Sequence, residues 1–474
     1  MTRRDFLATT SAATSVARSA AAEAPPNLIF VMPDQWRGQA LGCLGDRNAR
    51  TPNLDKLAAD GLLMRNVIAN TPVCCPARSV ILTGKYTHAN GMTANDLQLR
   101  MSEPSYAQVM HEAGYRTGFV GKWHLDGGPR LPGFVPQERR RGFDWWAANQ
   151  CNHDHFKTRY FRESAEAIAM NKFEVEGWMD LGIEFLRESA RDATRKPFFL
   201  TVQMGPPHDP YKAPGEYSNR YDAAKLELRG NYREVEKGPG RAGIAEYYAM
   251  IESIDDQMGR LMRTLEELSL ADNTIVFFSS DHGDMLGSQG ERLKRKPWEE
   301  SISVPGIWWN PRLIGRGRVS DAIFSHVDFA PTFLGMMGLR APASMQGVDH
   351  SSVVTGKRKS IRDSAFLQIF GPYAGDGTKA GWRGVRTSTH TYARYEKEPW
   401  VLYDNVRDPL QMRNLAGSRD YAGLQAALDK RLTRWMRESG DAWSNNWTFP
   451  VEDGGRLFKD RTYGSVTEYL QAVR

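Results

Sequence analysis

The sequence predicts an α/β protein: a large mixed, mainly parallel sheet flanked by helices, followed by a smaller C-terminal antiparallel sheet packed with a helix. Three observations predict it. Four short, unbroken apolar runs each end in a cluster of polar or charged residues, as strands buried on both faces of a parallel sheet do. Between Ile244 and Leu268 apolar residues recur every three or four positions, the stripe of one helix face. Beyond residue 356 the apolar runs turn short and alternating, as in antiparallel strands. At 474 residues the chain exceeds one average domain, and two unequal units are expected, residues 25–355 and 356–474.

The first 24 residues are set apart from the fold. Thr2-Arg3-Arg4-Asp5-Phe6-Leu7 resembles a twin-arginine export signal, and Ala20-Ala21-Ala22 offers a small-residue cleavage site. Export by this route implies a periplasmic or secreted protein. The composition is that of an ordinary globular chain, with 41% hydrophobic and 25% charged residues. No apolar run reaches the roughly 18 residues of a membrane span. The formal charge of +6 is spread along the chain, so it makes no case for nucleic acid. Four cysteines in a chain this long do not form a disulfide scaffold. Cys43 and Cys151 could pair in an oxidising compartment, whereas Cys74 and Cys75 are adjacent and poorly placed to bond to each other.

The four apolar runs carry the functional argument. Leu28 to Met32 leads into Pro33-Asp34-Gln35, and Thr117 to Val120 into Gly121-Lys122-Trp123-His124. Phe198 to Met204 leads into Gly205-Pro206-Pro207-His208, and Thr274 to Ser280 into Asp281-His282-Gly283. Ligands of parallel sheets bind beyond the carboxyl ends of the strands, so these runs deliver acids, histidines and a lysine to one edge. Helices are expected over Asn53 to Leu63, on an inner face of Leu54, Leu57, Ala58 and Leu62, and over the stripe from Ile244 to Leu268. The polar run Val354-Thr355-Gly356-Lys357-Arg358-Lys359 reads as a solvated linker. After it, strands are expected at Trp382 to Arg386, Tyr392 to Tyr395 and Trp400 to Tyr403, and a helix at Tyr421 to Arg437.

Thr71-Pro72-Val73-Cys74-Cys75-Pro76-Ala77-Arg78-Ser79 contains Cys-x-Pro-x-Arg. A helix beginning at Pro76 is expected, since proline suits a first turn. Its N-terminus favours negative charge beside Cys74, and Arg78 lies one turn on. A buried structural cysteine before a helix is the plain alternative. The motif resembles that of the formylglycine-dependent sulfatases, members of the alkaline-phosphatase-like superfamily, and its register picks out Cys74 because Cys75 falls on the variable position. Ala77 departs from the serine common before the arginine. The resemblance runs along most of the chain: Gly121-Lys122-Trp123-His124-Leu125, Pro207-His208-Asp209-Pro210-Tyr211, Ser280-Asp281-His282-Gly283-Asp284, Lys294 ahead of Glu299-Glu300-Ser301, Ser325-His326-Val327-Asp328 and Leu402-Tyr403-Asp404 all look like family landmarks in the same order.

That resemblance implies hydrolysis of a sulfate ester, on a sulfated small molecule or carbohydrate. It implies that Cys74 is converted by a formylglycine-generating enzyme, and that the hydrated aldehyde attacks sulfur. Asp34, Gln35, Asp281 and His282 would hold a divalent metal together with residue 74. Oxygen donors suit Ca2+, and an imidazole ligand leaves room for Mn2+ or Mg2+. Lys122, Arg78 and Lys294 would surround the sulfuryl oxygens, His208 would protonate the leaving alcohol with Lys294 beside it, and His124 would take the proton from the remaining hydroxyl. Many sulfatases have an aspartate where this chain has Gln35 and an asparagine where it has His282. Asp-Gln with Asp-His also occurs in phosphodiester and phosphonate-ester hydrolases, which form the second reading. A catalytically silent scaffold would show gaps in this set, and the main positions are filled.

Other features are set aside. Gly238, Gly240 and Gly243 satisfy Gly-x-Gly-x-x-Gly, but the polar segment before them is no strand. His153-Asp154-His155 could touch substrate or metal, but reads more readily as a polar surface loop. Trp36, Trp123, Trp145 and Trp146 fit core packing or the wall of a sugar-binding cleft equally.

Overall fold

The computed structural model describes residues 24–127, 132–371 and 380–443, with strands at 447–453 and 456–463. The expected export signal at 1–24 lies almost wholly outside the described residues. The larger sheet has nine strands: β1 (Asn27–Pro33), β2 (Leu62–Ile68), β3 (Arg116–Lys122), β4 (Trp145–Asn149), β5 (Phe198–Met204), β6 (Thr274–Phe278), β7 (Ser303–Val304), β8 (Ile307–Trp309) and β9 (Arg318–Ser325). Their order is β9-β2-β8-β6-β1-β5-β3-β4, with β7 beside β2. β1 runs parallel to β5 and β6, and β3 parallel to β4 and β5. Only β7 and β8 run against the rest, so the sheet is mixed and mainly parallel, as expected.

Both faces of the sheet are buried, which is why its strands read as continuous apolar runs. Leu28, Phe30 and Met32 of β1 enter one core with Phe329 and Phe333 of helix Phe329–Met336. Ile29 and Val31 enter the opposite core with Tyr247, Ile251 and Ile254 of helix Gly240–Glu267. The predicted stripe from Ile244 to Leu265 is the buried face of that 28-residue helix. Gly240 and Gly243 lie in its first turn, so the glycine motif belongs to a packing helix.

One boundary differs from the expectation. The helix expected to Leu63 ends at Ala59, and Leu62 and Leu63 instead open β2. Gly61 makes the break: a side chain there would run into the carbonyl of Trp308. β2, β4 and β9 were not among the apolar runs expected as strands. The C-terminal strands (β10, Ser364–Ile369; β11, Trp382–Thr387; β12, His390–Arg394; β13, Pro399–Asp404) form an antiparallel sheet in chain order. β11 is buried along its whole length. Trp382 meets Trp298 and Ile302 of the larger unit on one face, while Val385 meets Leu428 and Leu432 of helix Ala422–Ser439 on the other.

One glycine ties the fold to the site. Gly121, at φ +107°, passes so close to Gln203 on β5 that a Cβ would collide with its carbonyl oxygen. Gly121→Ala combines a strained backbone with a steric clash, and is expected to destabilise the protein by more than about 3 kcal/mol. Equilibrium denaturation in urea checks it.

Candidate active site

The chain exits from β1, β3, β5 and β6 meet at the carboxyl edge of the sheet, with the helix that follows β2 across them. Gln35 turns the chain after β1 in the left-handed region, at φ 72°. Its N–H donates to Asp281 Oδ1 (3.1 Å), and the Trp36 N–H donates to Ser280 Oγ (3.0 Å), stitching the β1 and β6 exits together. His326 closes the back of this junction by donating from Nε2 to the Ser280 carbonyl (3.0 Å).

Helix Cys74–Thr83 begins at Cys74, two residues earlier than the proline suggested, with Val73 extended at its N-cap. Cys74 is buried in its first turn. Its Sγ lies 3.3 Å from His282 Nε2 and 3.8 Å from Asp34 Oδ1. One turn on, Arg78 reaches back under Cys74. Its Nε donates to Asp281 Oδ2 (3.1 Å), its Nη1 to the Lys122 carbonyl (2.7 Å) and Gln203 Oε1 (2.6 Å), and its Nη2 to Asp34 Oδ2 (3.1 Å). Nη2 is also 3.0 Å from Asp281 Oδ2. The guanidinium is thus engaged by protein acceptors on every nitrogen. In this arrangement it holds the two carboxylates.

Lys122 Nζ donates to Asp34 Oδ2 at 2.7 Å. Burial works against the charge on Asp34, but Lys122, His208 and Arg78 hold its carboxyl well below the usual carboxylate range. Burial and the neighbouring Asp34 charge push the pKa of Asp281 up, as happens when two carboxylates share one buried site. His282 Nδ1 donates to the Gly283 carbonyl (3.0 Å), which turns Nε2 and its lone pair toward Cys74. Ligand atoms of Asp34, Cys74, Asp281 and His282 all lie within 4.8 Å of one another. Two carboxylates, an oriented imidazole and residue 74 therefore fit a divalent cation. Gln35 borders this group. Its Oε1 accepts from Lys294 Nζ (2.5 Å), and its Nε2 donates to Asp284 Oδ2 (2.7 Å).

On the other side, His208 Nδ1 donates to the Asp209 carbonyl (2.6 Å), leaving Nε2 to meet Lys294 Nζ at 2.8 Å. His124 Nε2 faces Asp96 Oδ1 (3.1 Å). Burial opposes its charge, while Cys151, Cys75 and Asp96 hold its pKa well above the ordinary histidine value. All ten residues singled out in the sequence thus gather at this edge, and Lys294 arrives from a loop with no strand of its own. Cys43 and Cys151 are free thiols, the first exposed and the second buried beside His124.

The sequence reading missed several groups. Gln203, the penultimate residue of β5, and Asp96 carry no motif. Asp284 stood inside a quoted segment without a role. His153-Asp154-His155 is a surface loop only in part: Asp154 is exposed, but His155 is buried and the ring of His153 packs on His208 at 5.0 Å. Apolar patterning could not reveal this, because the burial comes from the hydrogen bonds of His155 to other parts of the fold. Trp36, Trp123 and Trp146 are buried in the core.

Burial pushes the pKa of His326 down to about 3 from 6.5. A depressed histidine contributes stability that is complete above its unfolded pKa and is lost as pH falls toward its folded value. At about 1.4 kcal/mol per unit the full span is roughly 5 kcal/mol. His326→Gln, which keeps a donor for the Ser280 carbonyl, is expected to flatten the pH dependence of unfolding free energy below about pH 6.5. Urea titrations at several pH values check this.

The family model described as Sulfatase matches residues 26–339, and that of the C-terminal part of N-sulphoglucosamine sulphohydrolase matches residues 287–438. The chain is 36% identical over 425 residues to the ulvan-active sulfatase of Formosa agariphila, covering 89% of this chain and 83% of that one. It is 27% identical to the N-acetylglucosamine-6-O-sulfatase of Bacteroides thetaiotaomicron, covering 92% and 89%. The solved structure of the yidJ protein of Bacteroides fragilis superposes with a TM-score of 0.81 at 30% identity, covering 88% of this chain and 97% of that one.

Proposed function

The chain belongs to the sulfatase family and is a sulfuric ester hydrolase, and from that premise we propose that it removes sulfate from a sulfated carbohydrate outside the cytoplasm. The observation that carries the reading is the convergence of Cys74 with Asp34, Asp281 and His282 on one side of the edge and the Lys294–His208 pair on the other. The carbohydrate class rests on relatives that act on ulvan and on N-acetylglucosamine 6-sulfate. Thr2 to Leu7 and Ala20 to Ala22 support export to the periplasm or beyond. We assign residues 25–355 to the catalytic domain and 356–474 to the smaller unit.

Asp34, Asp281, His282 and the side chain at position 74, with Gln35 beside them, would hold the divalent cation that the family implies; Ca2+ suits the oxygen donors best. When both groups are present, the cation supplies Lewis acidity and the formylglycine hydrate, made from Cys74 by a formylglycine-generating enzyme, supplies the attacking oxygen. The chain's own residues do the rest. Lys122 and Lys294 offer fixed positive charge to the sulfuryl oxygens in a buried site, where it counts most. Arg78 keeps Asp34 and Asp281 in place. His208, with Nδ1 tied to the Asp209 carbonyl, presents Nε2 and the adjoining Lys294 ammonium to the departing oxygen, and one of them delivers the proton. His124 takes a proton at the side of residue 74, with Asp96 holding its ring.

The experiment is sulfate release from sulfated oligosaccharides, ulvan fragments among them, against choline sulfate and a simple aryl sulfate. A kcat/KM at least about tenfold higher on a saccharide is expected, since binding energy from the sugar is available to the transition state. Equal or higher efficiency on the small esters would remove the carbohydrate assignment.

A further inference from the structure

Behind the leaving-group side lies a buried ion pair that the mechanism above does not use. His155 donates from Nδ1 to Glu174 Oε1 at 2.5 Å and from Nε2 to the main-chain carbonyl of His208 at 2.8 Å. Both ring nitrogens are therefore donors, which describes an imidazolium. Burial works against that charge, but the Glu174 carboxylate outweighs it and raises the pKa of His155. Glu174 is itself fixed, because its Oε2 accepts from Thr158 Oγ1 (3.0 Å) and Trp178 Nε1 (3.1 Å).

The pair grips the turn that carries His208 at two points. His155 holds the His208 carbonyl, and the Glu174 carboxylate lies so close to Gly205 that any side chain there would strike it. The turn is closed by the His208 N–H on the Gly205 carbonyl (3.2 Å), and the Glu174 N–H on the His155 carbonyl (2.9 Å) locks the two partners together. A single histidine on a loop has many rotations open to it. Here its backbone is pinned from behind, its Nδ1 from the side, and only Nε2 is left to face Lys294.

We propose that His155, clamped by Glu174, is a positioning residue for the reaction: it sets the His208 turn so that Nε2 and the Lys294 ammonium meet the leaving oxygen. The proposal rests on the reading of His208 and Lys294 as the source of the leaving-group proton. Misplacing a reacting group by an ångström costs on the order of 10²-fold in rate. That cost depends on how much the leaving group needs the proton, whereas a general loss of structure does not.

The test measures kcat and KM of the converted enzyme on aryl sulfates from 4-nitrophenyl to 4-methoxyphenyl sulfate, for His155→Ala, Glu174→Gln and His208→Ala, with thermal melting alongside. His155→Ala is expected to lower kcat on the poorest leaving group on the order of 10²-fold, to spare 4-nitrophenyl sulfate and to leave KM unchanged. Its leaving-group dependence should steepen as that of His208→Ala does. Glu174→Gln keeps the packing against Gly205 and removes the charge, so a smaller steepening is expected, and it carries the same test if His155→Ala does not fold. Steepening in His208→Ala with equal losses across the series, or none, in the other variants would overturn the positioning role alone. No steepening in His208→Ala would overturn the reading of His208 and this proposal with it.

Discussion

Replacing Cys74 by alanine is expected to lower turnover of an aryl sulfate on the order of 10⁶-fold, the scale seen when an enzyme loses its nucleophile. The fold should survive. The sulfur makes only long contacts, 3.3 Å to His282 and 3.8 Å to Asp34, and alanine suits the first turn of a helix. The neighbouring cysteine gives the contrast. Cys75 Sγ accepts the Asp96 N–H at 3.2 Å and lies with Asp96 and His124, not with Asp34, Asp281 and His282. Cys75→Ala is therefore expected to cost about 1–2 kcal/mol of stability and to keep most of the activity. Initial rates and melting curves for the two variants, made with the converting enzyme present, separate the roles of two adjacent, equally buried thiols.

Asp34→Ala has the second largest expected effect, because it acts on charge twice. Asp34 belongs to the group that fits the cation, and it also neutralises Lys122 and part of Arg78 at the floor of the site. Its removal leaves buried cations facing one another, which costs about 3–5 kcal/mol where a buried pair loses one partner. Loss of the metal's share of transition-state stabilisation, several kcal/mol, lowers kcat/KM on the order of 10³-fold or more. The variant should retain less metal by elemental analysis, melt lower, and recover no activity with added Ca2+. Wild-type protein stripped by a chelator should recover fully.

Much of this arrangement was legible because parallel sheets concentrate chemistry at the carboxyl ends of their strands. Four apolar runs followed by Asp34-Gln35, Lys122-Trp123-His124, His208 and Asp281-His282 were enough to place the edge. The Cys74 to Arg78 segment marked, through its resemblance to the family motif, the residue expected as nucleophile and a helix that begins two residues before the expected Pro76. What escaped depends on contacts between segments far apart in the chain. Gln203 looks like any interior strand residue until Arg78 reaches it across the sheet. His153 to His155 is as polar as a surface loop, yet Glu174, at the start of a helix, draws His155 into the interior. The contacts of Arg78 escaped for a related reason: charge alone pointed it at the substrate, and only the fold brings Asp34 and Asp281 within reach of its donors. Three of the four C-terminal strands were placed by their alternation and β10 was not; the burial of β11 on both faces follows from the larger unit packing on one side and a helix on the other.

The central claim is that this edge hydrolyses sulfate esters through residue 74, and the Asp34-Gln35 and Asp281-His282 pairs make phosphate diesters the proper comparison. The measurement is hydrolysis of 4-nitrophenyl sulfate against bis(4-nitrophenyl) phosphate, by enzyme whose residue-74 peptide is verified by mass to be formylglycine, with Cys74→Ala as the control. A higher kcat/KM for the sulfate, abolished in Cys74→Ala, is the predicted result. A preference for the diester, or sulfate hydrolysis that persists without Cys74, would contradict it.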